Sequence, residues 1–288
     1  MRVLILGGTG MLGHQLWQTW QEKFDVYVSH RGGSELFKKN SLFTVFNNSD
    51  RIINYVSTEN LENIVRALEL SNPSVVINCI GIIKQLAISK DPIPSITVNS
   101  LFPHQLAKLC QEHNAKLIQI STDCVFSGNK GNYTEQDNPD PIDFYGRTKL
   151  LGEVTSPNCL TIRTSIIGRE LNSQNSLVEW FLSQKGKTVK GFDRAIYTGF
   201  TTQALSQIIE KIILEHPNLE GLWHISSDPI TKYQLLNMMN QAFNLGTTIE
   251  KDKSFICDRS LNSQKFRNFT SYTPPTWEEM IAQLAASQ

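Results

Sequence analysis

The 288-residue sequence predicts an α/β fold: a doubly wound parallel sheet carrying a smaller C-terminal lobe. Three observations predict it. Short β-branched runs alternate with longer amphipathic stretches from residue 1 to residue 165, as repeated strand–helix–strand crossovers require. The first of those runs leads straight into a glycine cluster, Gly7-Gly8-Thr9-Gly10. Composition is globular, with 40% hydrophobic residues, 17 Gly and 11 Pro, and no low-complexity segment.

In order along the chain, Arg2 to Leu6 reads as a buried strand and Met11 to Glu22 as the helix after it. Val26 to Ser29 is a second strand, and Leu61 to Leu70 a helix stopped by Ser71-Asn72-Pro73. Val75 to Cys79 is a strand, Pro103 to Glu112 a helix and Leu117 to Ser121 a strand. Tyr145 to Val154 is helical and Leu160 to Thr164 the next strand. Beyond Thr164 the pattern loosens, leaving Gln203 to Leu214 and Tyr233 to Phe243 as helices and Leu222 to Ile225 as a short strand. We therefore expect a dinucleotide-binding domain from 1–165 plus 201–228, and a substrate-binding lobe from 166–200 plus 229–288. Trp17 and Trp20 lie three apart on the first helix, in the core by default or in a subunit contact.

The 27 basic and 27 acidic side chains cancel, which argues against a nucleic-acid partner or an anionic membrane surface. No apolar run is long enough to span a bilayer, and the N-terminus carries no secretory pattern. Five cysteines without a CxxC pair read as reduced thiols of a cytoplasmic protein. Six scattered histidines give no metal-ligand spacing, so no metal site is expected.

The glycine cluster holds two overlapping registers, Gly8/Gly10/Gly13 and Gly7/Gly10/Gly13. In either, glycines after a strand and before a helix let the backbone of Gly7, Gly10, Met11, Leu12 and Gly13 approach a pyrophosphate at the helix N-terminus. This is the Rossmann arrangement. The second strand ends at Ser29-His30-Arg31 with no carboxylate for ribose hydroxyls. Arg31 would meet a 2′-phosphate, which favours NADPH over NADH; the alternative is a solvated surface arginine.

Tyr145 and Lys149 stand four apart, on one helix face. A phenol titrates near pH 10, so a nearby ammonium is needed to make it useful in proton transfer. The pair trails Ile120-Ser121-Thr122-Asp123, whose hydroxyls suit a carbonyl.

With Asn78-Cys79-Ile80-Gly81, the string Ser121-Thr122-Asp123-Cys124-Val125-Phe126-Ser127-Gly128 and Leu160 to Ser165, the chain resembles the extended short-chain dehydrogenase/reductases, most of all the dTDP-4-dehydrorhamnose reductase group. The resemblance implies that Thr122 binds the reacting oxygen, Tyr145 acts as general acid, and Lys149 lowers the phenol pKa and binds the nicotinamide ribose. It implies that Ile80 and Gly81 border the adenosine half of the cofactor and that Asn99 supports the neighbouring helix. Hydride transfer to a ketone follows.

Two departures accompany it. Ile53 to Ser57 lacks the Asp that many relatives place at the adenine, and Cys124 stands where the rhamnose-pathway enzymes have Tyr. Cys124 disfavours a dehydratase, which resembles this string but has Glu there; the thiol lines the pocket or serves as an acid/base. For a diphosphate-bearing substrate, Lys84 and Arg194 are the contacts of choice, Arg194 within the cationic run from Lys187.

The expected activity is NADPH-dependent reduction of a 4-keto sugar nucleotide in glycan precursor synthesis. Alternatives are a bifunctional sugar-nucleotide epimerase/reductase and a non-catalytic NADP-binding regulatory subunit, since the regulatory subunit of methionine adenosyltransferase resembles the same group. Some relatives are described as dimers, which admits a homodimer.

Overall fold

The computed structural model describes residues 1–33, 50–171 and 174–286. In chain order, β1 (Arg2–Leu6) leads into α1 (Met11–Trp20), β2 (Asp25–Ser29), β3 (Ile52–Ile53), α2 (Leu61–Ser71) and β4 (Val75–Asn78). A short α3 (Pro92–Ile96) passes through a π-turn at Thr97–Leu101 into α4 (Phe102–Glu112), followed by β5 (Lys116–Ile120), α5 (Phe144–Leu151) and β6 (Cys159–Arg163). Next come β7 (Ile166–Ile167), α6 (Leu177–Leu182), β8 (Thr188–Tyr197), β9 (Phe200–Thr201), α7 (Thr202–Glu215) and β10 (Gly221–His224). The last elements are β11 (Ile230–Thr231), α8 (Lys232–Ala242), β12 (Thr248–Asp258), α9 (Gln264–Thr270) and α10 (Trp277–Ala286).

The contacts divide the chain into two units. The first comprises Met1–Ser121, Arg147–Ile162 and Pro217–Leu222. Its sheet has seven strands in the order β10-β6-β5-β4-β1-β2-β3, and β3 through β6 pair in parallel. That is the doubly wound order, with its reversal between β1 and β4. Alternation puts Leu4, Leu6, Val76 and Leu117 on one face, in a buried cluster with Ile64 and Leu68 of α2 and Phe102 and Leu106 of α4. Val3, Ile5, Ile77 and Ile118 point the other way and are also fully buried. Both faces are covered, which is why these strands read as continuous apolar runs. Trp17 and Trp20 are core residues, Trp20 edge-on to Phe24.

The second unit comprises Thr122–Gly146, Arg163–His216 and Trp223–Gln288. A three-stranded sheet, β11-β8-β12, carries α8, and β7 pairs with β9. Helix α7 belongs to this unit, packing on β7, β9 and α10. The loosened pattern after Thr164 therefore conceals two long strands. Their charges explain it: Lys190 pairs with Asp252 and Lys251 with Asp193, so the sheet is laced by ion pairs where a sequence reader sees polar chain. A register shift between Asp252 and Ile256 breaks the alternation further.

Candidate active site

In the first unit the turn after β1 is built from what its glycines lack. Gly7 has φ +84°, in the left-handed region. A Cβ on Gly13 would run into the Gly7 carbonyl, and one on Gly8 into Val28 of β2. Gly8 N also donates to Ser29 O at 2.8 Å. Gly10 caps α1, and no side chain takes the cap hydrogen bond. The first-turn N–H groups of Met11, Leu12 and Gly13 have no intrahelical acceptor, a cradle that fits an anionic pyrophosphate. Gly7 makes the turn and Gly8 the close approach to β2.

At the end of β2, Ser29 and His30 are buried, and His30 Nε2 lies 2.6 Å from Asn54 Oδ1. Arg31 is exposed on the bend that follows. After β4, Asn78 Oδ1 accepts from Ile80 N at 3.1 Å. Asn99, 2% exposed, clasps the same turn: its side chain accepts from Ile82 N and donates to Ile82 O, each at 2.9 Å, and also donates to Thr148 Oγ1. The π-turn that carries Asn99 is what brings its amide to the Gly81 turn and to α5 together. Ile80 is half-buried, while Gly81 and Lys84 are exposed.

Lys149 is buried, and its Nζ donates to Ile120 O at 2.7 Å. Burial drives its pKa down to about 8, opposed first by Glu153 and then by Cys79. The Cys79 thiol is itself pushed up to about 12 by burial, so it carries no charge at neutral pH.

In the second unit, Thr122 caps the short 3-10 turn Asp123–Val125, its Oγ1 accepting from Cys124 N at 3.1 Å. A Cβ on Gly146 would strike the Cys124 carbonyl, so glycine lets the first turn of α5 close on that turn. The Tyr145 hydroxyl is thereby hydrogen-bonded to the Thr122 side chain. Burial raises the phenol above its ordinary pKa, Cys124, Asp123 and Asp143 push the same way, and the Thr122 hydrogen bond opposes them. The Tyr145 phenol is therefore protonated at neutral pH.

Cys124 is buried, and Arg259 donates from Nη1 to its Sγ at 3.5 Å and from Nε to Phe126 O at 2.8 Å. Arg194 is exposed on β8. Of its cationic neighbours in sequence, Lys190 is paired with Asp252 and Lys187 donates to Ser183 O.

Sequence reasoning missed two residues here. Glu153 accepts from Ser121 Oγ at 2.7 Å and acts on Lys149; its spacing of four beyond Lys149 was the available signal. Arg259 comes from the far end of the chain and carries no local signal. Among the described residues, no group of three or more His, Cys, Asp or Glu is placed to hold a metal ion. No helix among them is long and apolar enough to cross a membrane.

The chain matches the family described as RmlD substrate binding domain over residues 1–287. It is 27% identical over 259 residues to methionine adenosyltransferase 2 subunit beta of Mus musculus, covering 85% of this chain and 72% of that one. It is 27% identical over 238 residues to the probable low-salt glycan biosynthesis reductase Agl14 of Haloferax volcanii, covering 79% and 75%. Among solved structures, dTDP-4-dehydrorhamnose reductase of Bacillus anthracis in complex with NADP superposes with a TM-score of 0.81 at 22% identity, over 100% of this chain and 99% of that one. A match over nearly the whole length, on the doubly wound sheet just described, makes this chain a member of the RmlD substrate binding domain family.

Proposed function

We propose that the chain is an NADPH-dependent oxidoreductase that reduces the ketone of a 4-keto sugar nucleotide for glycan precursor synthesis. The observation that carries this reading is a protonated phenol, Tyr145, hydrogen-bonded to the Thr122 side chain and one helical turn from the buried ammonium of Lys149. The family, and a relative named as a glycan biosynthesis reductase, support sugar-nucleotide reduction. A similar fold named as a complex with NADP supports a nicotinamide cofactor.

In this reading the backbone N–H groups of Met11, Leu12 and Gly13, with the turn at Gly7 and Gly10, hold the pyrophosphate. Arg31 pairs with the 2′-phosphate, and Ile80 and Gly81 border the adenosine half. Lys149 holds the nicotinamide ribose. The bound cofactor supplies a hydride. Thr122 donates a hydrogen bond to the ketone oxygen, Tyr145 gives it a proton, and Cys124 lines the pocket. Lys84 and Arg194 take the substrate's phosphates. The free cysteines, three of them buried, support a reducing cytoplasm as its setting.

Tyr145→Phe is expected to lower kcat about 100-fold to 10,000-fold, the usual worth of a general acid, while NADPH binding measured by fluorescence persists. Unchanged turnover in that variant overturns the assignment. A second reading, a non-catalytic subunit of a larger enzyme, is favoured by one observation: the adenosyltransferase subunit is as similar to this chain as the glycan reductase is. Co-purification with a larger enzyme, and no NADPH oxidation across a panel of keto-sugar nucleotides, would establish it instead.

A further inference from the structure

Two neighbouring residues at the end of β5 hold opposite charges. Ile120 offers its carbonyl to Lys149 Nζ at 2.7 Å, and Ser121 donates its hydroxyl to Glu153 Oε1, also at 2.7 Å. Glu153 reaches that place because the chain turns sharply beneath α5. Gly152 N donates to Lys149 O at 3.1 Å and Glu153 N to Leu150 O at 3.2 Å. A Cβ at Gly152 would collide with the Asn99 backbone carbonyl, so only glycine admits the turn. Immediately after it, Val154 is fixed on both sides of its peptide by Thr161, whose Oγ1 accepts from Val154 N at 3.1 Å and donates to Val154 O at 2.6 Å. The carboxylate is held from its backbone and from its own oxygen.

We propose that Glu153, tethered by the Ser121 hydroxyl, is the counter-ion and positioning residue of the Lys149 ammonium. Its catalytic meaning rests on the function proposed above; its electrostatics stand apart from it. Other titratable neighbours do not substitute. Cys79, after β4, is the second group acting on Lys149, and as a buried thiol it is neutral. Tyr145, on the same helix, is a neutral phenol. Burial disfavours the ammonium, and Glu153 is the largest influence in the other direction. Without that carboxylate Lys149 sheds its proton at lower pH and presents an amine, not a cation, to whatever it binds.

The test reads Lys149 directly, without turnover. The full-length protein is labelled with carbon-13 at lysine Cε, and the Lys149 resonance is assigned by its loss in Lys149→Arg. Glu153→Gln keeps the shape and the acceptor for Ser121 but removes the charge. It is expected to lower the Lys149 titration midpoint by about 1 pH unit, and Glu153→Asp to restore part of the difference. Ser121→Ala, which unties the carboxylate without deleting it, is expected to give a smaller shift in the same direction, and it serves if Glu153→Gln fails to fold. Midpoints unchanged in the folded variants overturn the proposal, whatever their thermal stability. A wild-type protein that oxidises no NADPH would instead sink the functional reading, and the titration would still decide the role of Glu153.

Discussion

At the scale of single residues, the proposed preference for NADPH rests on one exposed side chain. Arg31 follows a strand end whose Ser29 and His30 are buried, so it is the cation at that bend with access to solvent. Arg31→Glu is expected to weaken NADPH about tenfold to a hundredfold, by losing one attraction and adding a repulsion, and to spare NADH. Steady-state KM values for the two cofactors check it; equal effects on both would remove Arg31 from the 2′-phosphate. The residues legible in the sequence are those whose partners are near in the chain. Tyr145 and Lys149 share a helix, and Thr122 caps its own turn. Arg259 was illegible because it meets Cys124 across 135 residues of separation. Glu153 was half legible: its spacing shows in the sequence, but the turn that brings it back to β5 depends on Gly152 meeting Asn99, a tertiary contact.

At the scale of elements, glycines decide where helices may start and stop. The helix predicted to reach Val154 ends at Leu151, because Gly152 leaves it under the Asn99 carbonyl. The strand predicted from Leu117 begins at Lys116, which is buried with Nζ on Pro217 O and Leu219 O at 2.6 and 2.5 Å. A charged residue that spends its charge on two backbone carbonyls cannot be told from a surface lysine by pattern alone. Gly13 gives this scale its prediction. Since an added Cβ would enter the Gly7 carbonyl, Gly13→Ala is expected to cost about 1–3 kcal/mol, the usual price of overpacking, and to abolish NADPH binding. Urea denaturation and a fluorescence titration test it. A variant that keeps both stability and binding would mean that the turn is not the pyrophosphate cradle.

For the whole molecule, the doubly wound order was legible because both sheet faces are buried and the strands announce themselves. The β8–β12 pairing was not, because its ion pairs hide the strands. One contributor to acid stability in the second unit is a buried imidazole. His224 is fully buried, with Nδ1 at 3.0 Å from Tyr133 O and Nε2 at 3.3 Å from Arg163 Nη1. Arg163 can only donate, so Nε2 accepts and Nδ1 carries the proton of a neutral ring. Burial, then the Arg163 charge, holds its pKa down to about 3. The unfolded ring takes up a proton near pH 6.5 while the folded one does not. Stability therefore falls as pH drops from about 6.5 toward 3. Between pH 7 and pH 5 the wild type is expected to lose about 2 kcal/mol through this ring alone, and His224→Phe to lose correspondingly less. Urea midpoints at the two pH values check it; parallel losses would clear His224.

The anchoring of Lys149 on a main-chain oxygen of β5 has a consequence for brine. Surface pairs such as Arg2–Asp25 fade as dissolved ions crowd around them, and a chain of zero formal net charge has no surplus to fall back on. A buried ammonium seated on an uncharged peptide oxygen is screened far less than such surface pairs, so that hydrogen bond is expected to persist as salt rises.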